Sequence, residues 1–172
     1  MTHLNVEIKA RCADLEPVRV ALRRRRADYR GLDRQTDTYF RCPTGRLKLR
    51  EGDIENALIH YARADQAGPK ESVVTLCPVP RDAPLGSVLE QALGVLVTVR
   101  KRREIWFVGN VKVHLDEVDE LGSFVEIEAM DAGCSLGRVH LQAQCEELMA
   151  LLGVRAEDLL ERSYSDMLLA PA

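Results

Sequence analysis

No apolar run in this 172-residue chain approaches the ~20 residues that cross a bilayer, and the opening Met1-Thr2-His3-Leu4 has no secretion-signal core. There is no CxxC pair. The five cysteines (Cys12, Cys42, Cys77, Cys134, Cys145) are odd in number and scattered, which argues for reduced thiols in a cytoplasm. Neither sign of charge dominates. With 24 basic and 27 acidic residues the net charge is −3, so nothing pulls the chain as a whole toward nucleic acid or an anionic membrane. The chain also lacks a Walker loop, zinc-ligand spacing and a nucleophile–base–orienter arrangement. Repeats, low-complexity tracts and linkers are missing as well, which leaves one domain over residues 1–172. At 46% hydrophobic residues it can bury a sizeable core.

What is present is a repeated kind of strand. Asn5-Val6-Glu7-Ile8-Lys9 alternates polar and apolar, so Asn5, Glu7 and Lys9 share one face. Arg46-Leu47-Lys48-Leu49-Arg50, Lys112-Val113-His114-Leu115-Asp116 and Phe124-Val125-Glu126-Ile127-Glu128 repeat the arrangement. Further strands are expected over 35–42, 57–64, 71–79 and 95–108, the last as two strands or one long bent one. Turns are expected at Pro43-Thr44-Gly45, Gly109-Asn110 and 119–122, and a polar loop over 65–69. Helices are expected from Asp14 to about Ala27, over 85–93, over 135–152 with Leu136, Val139, Leu148 and Leu152 inward, and over 156–169 with Leu159, Leu160, Tyr164, Met167 and Leu168 inward. About eight hairpin-linked strands predict an α+β fold: an eight-stranded antiparallel β-barrel with a charged lumen and helices packed outside.

The expected lumen cations are Lys9, Arg46, Lys48, Arg50, Arg63, Lys101 and Arg103, with Lys70 and Lys112 beside them. So many like charges are tolerable only if acids interleave or an anion fills the space. Arginine forks and lysine charges suit the oxygens of a polyphosphate. Glu7, Asp116, Glu126, Glu128 and the amide of Asn5 are hard oxygen donors that suit Mg²⁺ or Mn²⁺. A cation clamp with carboxylate-held metal is equipment for phosphoryl or nucleotidyl transfer. His114 can be read as a substrate or proton-handling group, or as a structural histidine. The run Arg23–Arg26 reads as a solvated helix face, since no stacking aromatics interleave for RNA.

In order along the chain, these pieces resemble the CYTH superfamily, the triphosphate tunnel metalloenzymes. The family's ExExK strand is matched by Asn5-Val6-Glu7-Ile8-Lys9, with Asn5 in place of the first glutamate. The likeness continues through Asp37-Thr38-Tyr39-Phe40, 45–51, Gly68-Pro69-Lys70, 101–106 and 114–128, and the last run is most similar to the class IV adenylate cyclase branch. The resemblance implies a tunnel that takes ATP or another triphosphate with Mg²⁺ or Mn²⁺. Glu7, Glu126 and Glu128 would hold metal, with Asp116 helping and Asn5 offering an uncharged oxygen. Lys9, Lys48, Arg50, Arg63, Lys101 and Arg103 would bind the triphosphate. Lys9 and Tyr39 are the implied proton acceptor. The reactions it implies are cyclisation of ATP or hydrolysis of tripolyphosphate or thiamine triphosphate; a non-catalytic nucleotide-binding module is the reading from another class. The expected partners include no nucleic acid and no membrane, and the resemblance allows a homodimer.

Overall fold

The structure is a computed structural model that describes residues 2–63, 68–133 and 135–170. Among these residues eight strands close into a barrel in the order β1-β5-β4-β3-β2-β6-β7-β8, every neighbouring pair antiparallel. The strands are β1 (Thr2–Arg11), β2 (Asp28–Phe40), β3 (Arg46–Glu51), β4 (Ala57–Arg63), β5 (Lys70–Pro78), β6 (Val95–Val108), β7 (Val111–Val118) and β8 (Gly122–Asp131). The helices are α1 (Glu16–Arg24), α2 (Leu85–Leu93), α3 (Arg138–Leu152) and α4 (Tyr164–Leu169). The antiparallel α+β barrel expected from alternation is therefore observed. The 95–108 stretch is one strand, since its first half pairs with β2 and its second half with both β2 and β7. Residue 64 of the expected 57–64 strand, residues 65–67 of the expected polar loop, and Cys134 lie outside the described residues; Cys12, Cys42, Cys77 and Cys145 are free thiols.

The main apolar core lies outside the barrel wall. Val6, Ile8, Val113, Leu115, Val125 and Ile127 point out of β1, β7 and β8 and meet Val18 and Leu22 of α1 and Leu141, Cys145, Leu148 and Leu152 of α3. Because strand side chains alternate, this outward apolar set forces the polar set inward.

Four local expectations are corrected. The helix expected over 135–152 starts at Arg138, because the Asp131 carboxylate takes the N–H groups of Ser135, Leu136 and Gly137 at 2.9, 3.0 and 3.0 Å. Its buried face starts at Leu141, so Leu136 and Val139 are exposed. Strand β2 begins at Asp28 rather than 35, and α1 ends at Arg24. The 28–34 stretch does not alternate cleanly; it is a strand because β6 pairs with it and Trp106 stacks 4.4 Å from Tyr29.

The fourth correction shapes the site. A continuous helix over 156–169 does not form. A 3-10 turn at Ala156–Asp158 gives way to an extended strap, and α4 starts only after Ser163 and Asp166 form a capping box. The strap bonds to the barrel instead of to itself: Leu160 N–H donates to Lys9 C=O at 2.8 Å, and Leu159 bridges Ala10. It crosses the barrel end where β1 finishes and β3 starts, and there Arg46 holds Asp166 at 2.8 Å.

Candidate functional site

The inward residues enclose a cavity of about 420 Å³. Among the described residues six cations line it (Lys9, Lys48, Arg50, Lys101, Arg103, Lys112) against five carboxylates (Glu7, Asp37, Glu55, Glu126, Glu128), with acids interleaved among the bases.

Two buried clusters organise these charges. In the first, Asp37 of β2 takes the Arg50 fork through both oxygens at 2.9 Å, Lys48 at 2.9 Å and Lys101 at 2.7 Å. Burial pushes the Asp37 carboxyl up, but Arg50, Lys101 and Lys48 together hold it well below the usual carboxylate range. Burial also pulls the Lys101 ammonium down; Asp37 supports its charge, Arg50, Arg103 and Lys48 oppose it, and it settles at about 7. Burial, with Asp37 nearby, pushes Tyr39 up to about 12, and its hydroxyl lies 3.4 Å from the Lys48 ammonium.

In the second cluster Arg103 of β6 forks onto Asp116 of β7, with Nε to Oδ1 at 2.7 Å, and also reaches Glu126 of β8. Glu126 pairs in turn with Lys9 and lies 3.4 Å from His114 Nδ1. Burial first, then Arg103, hold His114 at about 3, so it stays neutral near pH 7. Tyr164 of α4 enters the barrel: its hydroxyl donates to Asp116 at 2.8 Å and its ring lies under the Lys9 ammonium at 3.3 Å.

The sequence-derived residues do not all meet. Glu7, Lys9, Tyr39, Lys48, Arg50, Lys101, Arg103, Lys112, Glu126 and Glu128 line the one cavity. Asp116 and His114 are buried behind them, at 0% and 2% exposure. Asn5 is buried beside Glu128, to which its amide donates. Arg46 is turned to Asp166, and the Lys70 ammonium donates to the strap carbonyls of Leu160 and Glu161, each at 3.0 Å. Arg63 ends β4 opposite Ser72; its side chain lies outside the described residues. Sequence reasoning passed over Asp37, Glu55 and Tyr164. Asp37 shares the Tyr39 face and was recoverable from that parity. Glu55 sits on an irregular loop, and Tyr164 looked like the apolar face of a helix, so neither carried a periodic signal.

The CYTH domain family model matches residues 3–164. The chain belongs to the CYTH domain family. Solved structures share the fold: the PH1012 protein of Pyrococcus horikoshii at 22% identity and TM-score 0.81, covering 94% of this chain and 98% of that one; a proposed adenylate cyclase of Vibrio parahaemolyticus at 21% and 0.74, covering 97% and 98%; and a proposed adenylyl cyclase of Hippeastrum with dominant triphosphatase activity, at 12% and 0.60, covering 97% and 94%. The search of curated proteins found no match to this chain. CYTH proteins typically act on triphosphates and generally depend on a divalent metal.

The residues of this CYTH protein fit such a cation. Glu7 and Glu128 stand directly opposite each other across β1 and β8. Burial, then the charges of Glu7 and Glu126, raise the Glu128 carboxyl above its ordinary value. The buried Asn5 Oδ1 has no hydrogen-bond partner among the described residues. Crowded carboxylates and an orphaned oxygen are what a hard cation satisfies. Among the described residues no three acidic, histidine or cysteine ligands converge on one point, so a cation held there would need phosphate oxygens and waters to complete its shell.

Glu55 is held in the lumen by its own loop. The Asp33 carboxylate, 0% exposed, accepts the N–H groups of Ile54 and Glu55 at 2.9 and 3.0 Å. Gly52 makes that approach possible, since a Cβ there would lie 2.6 Å from Asp33 Oδ1. Glu55 bonds Arg50 at 2.9 Å and also Lys112, which places a carboxylate where an anionic ligand would compete for both cations. Glu55→Gln is therefore expected to bind triphosphate about three- to tenfold more tightly. Calorimetric titration checks this, and an unchanged or weaker affinity would remove Glu55 from the competition.

Lys101 predicts a proton uptake. At pH 8 the free protein holds Lys101 mostly neutral, and a bound polyanion raises its pKa, so binding should take up a proton and affinity should fall as pH rises above about 7. The apparent binding enthalpy should then vary with the ionisation enthalpy of the buffer, and Lys101→Met should abolish that dependence. Equal enthalpies in all buffers would show that Lys101 does not titrate there.

Proposed function

We propose that this CYTH protein is a divalent-metal-dependent enzyme acting on a triphosphate, and that its reaction is conversion of ATP to cyclic AMP and pyrophosphate, as in class IV adenylate cyclases. The observation that carries the reading is one cavity in which Lys48, Arg50, Lys101, Arg103 and Lys112 share the space with the facing carboxylates Glu7 and Glu128. The arginines can exchange carboxylate partners for phosphate oxygens without changing geometry, because both present two oxygens to the fork. Lys9 balances Glu126 and so keeps that carboxylate ionised. Mg²⁺ or Mn²⁺ held by Glu7 and Glu128, with Asn5 Oδ1 beside them, would neutralise phosphate charge. Lys101, held by Asp37 at 2.7 Å, gains its proton as the polyanion binds and then adds its charge to the clamp on the phosphates.

The same cation clamp and facing carboxylates serve attack by water on the terminal phosphorus, which supports a second reading: hydrolysis of tripolyphosphate or thiamine triphosphate. Product identification separates the two. The protein is incubated with Mg²⁺ or Mn²⁺ and either ATP or tripolyphosphate, then followed by phosphorus NMR and nucleotide chromatography. Cyclic AMP with pyrophosphate supports the cyclase; orthophosphate without cyclic AMP moves the assignment to the triphosphatase. Tight binding with no turnover of either compound overturns both and favours a binding module.

A further inference from the structure

Strands β4 and β5 give the cavity a surface unlike the rest. Their apolar inward positions there are Ala57, Ile59, Tyr61, Val74 and Leu76, knit across the ladder by the pairs Ile59–Leu76 and Tyr61–Val74. Among the described cavity-lining residues, these two strands carry no acid and no base. Val74 and Leu76 are only half-buried, so apolar surface faces the lumen itself. Four places round the ring, β6 and β7 present Lys101, Arg103 and Lys112. The cavity therefore has a cationic side and an apolar side.

An inorganic triphosphate can use only the first. It has no surface to cover Val74 and Leu76, and every oxygen it turns toward them loses hydration without gaining a partner. A triphosphate ester can use both. A flat organic group lying against Ile59, Val74 and Leu76 would cover them while the phosphates reach the cations. A second, independent feature points the same way. Ser72 lies on the same wall, is 1% exposed, and its hydroxyl has no hydrogen-bond partner among the described residues. A buried hydroxyl left open at the edge of an apolar patch suits the polar rim of a bound ring or sugar.

We propose that the β4–β5 wall is the subsite for the organic group of the substrate, and that the protein takes triphosphate monoesters of flat, uncharged groups such as nucleosides in preference to inorganic tripolyphosphate. This rests on the reading of the cavity as a triphosphate site. The test uses bis-methylene analogues of ATP and of tripolyphosphate, which cannot turn over, titrated calorimetrically into the full chain with Mg²⁺. The parent should bind the ATP analogue at least about tenfold more tightly. Val74→Thr, which keeps the shape, and Leu76→Gln, which nearly keeps the volume, should each weaken the ATP analogue about fivefold and leave the inorganic analogue within about twofold. Equal affinities in the parent, or equal losses for both ligands in the folded Val74→Thr protein, would overturn the subsite while leaving the triphosphate reading intact. Failure of the parent to bind either analogue would overturn the triphosphate reading and the subsite with it.

Discussion

Arg103→Ala is expected to lower unfolding free energy by about 3–5 kcal/mol at pH 7, because it strands buried carboxylates. Arg103 is 3% exposed and Asp116 is fully buried, and the fork also reaches Glu126. Burial alone would raise both acids. Asp116 is lowered chiefly by Arg103, and Glu126 is held well below its ordinary value by Lys9 and then Arg103. These are groups with depressed folded pKa values, so the stability they contribute is present above the unfolded carboxylate pKa of ~4 and is lost as pH falls through the folded value. Without Arg103 burial pushes the two acids up, so the variant is relieved as they protonate and the gap between parent and variant should narrow as pH drops from 7 toward 4. Arg103→Lys keeps a charge but loses the planar fork and should fall between the two. Urea unfolding at both pH values reads this directly. A loss under about 1 kcal/mol, or a gap that widens in acid, would show that the second cluster is not held by Arg103.

Arg50→Ala should instead leave a folded protein that has lost turnover. Its partner Asp37 keeps Lys48 and Lys101, so the buried acid is still neutralised. What disappears is the fork that lines the cavity between Asp37 and Glu55. A guanidinium that meets charge developing on a transferred phosphoryl or nucleotidyl group carries a large share of the rate. The loss in kcat/KM is expected to be about 10³-fold. Arg50→Lys should recover little, since a point charge does not reproduce two parallel donors. Steady-state kinetics on whichever triphosphate turns over, with circular dichroism to confirm folding, decides it. Turnover near the parental level in folded Arg50→Ala would place the reaction elsewhere in the barrel.

The barrel and the clamp were legible for one reason. Strand alternation is local, so Glu7, Lys9, Lys48, Arg50, Lys101, Arg103, Lys112, Glu126 and Glu128 could be assigned a common face without knowing any partner. Parity does not say what each charge touches. Arg46 and Lys70 have the right parity, yet the structure turns both to the C-terminal segment. Asp116 and His114 also point inward but lie behind Arg103 and Glu126. Lys9 and Tyr39, associated by resemblance, both line the cavity, Tyr39 beside Lys48 and Lys9 against Tyr164.

By itself the amino-acid order determined which residues face the lumen, the antiparallel barrel they imply and the family likeness, because period-2 patterning and turn chemistry act over a few neighbouring residues. Only the tertiary structure decided the ion-pair partners, the loop that carries Glu55 onto Arg50 and Lys112, and the strap that carries Tyr164 onto Asp116. Those depend on contacts far apart in the chain. There, a hydrogen bond such as Leu160 N–H to Lys9 C=O outcompeted the helix that the local pattern favoured.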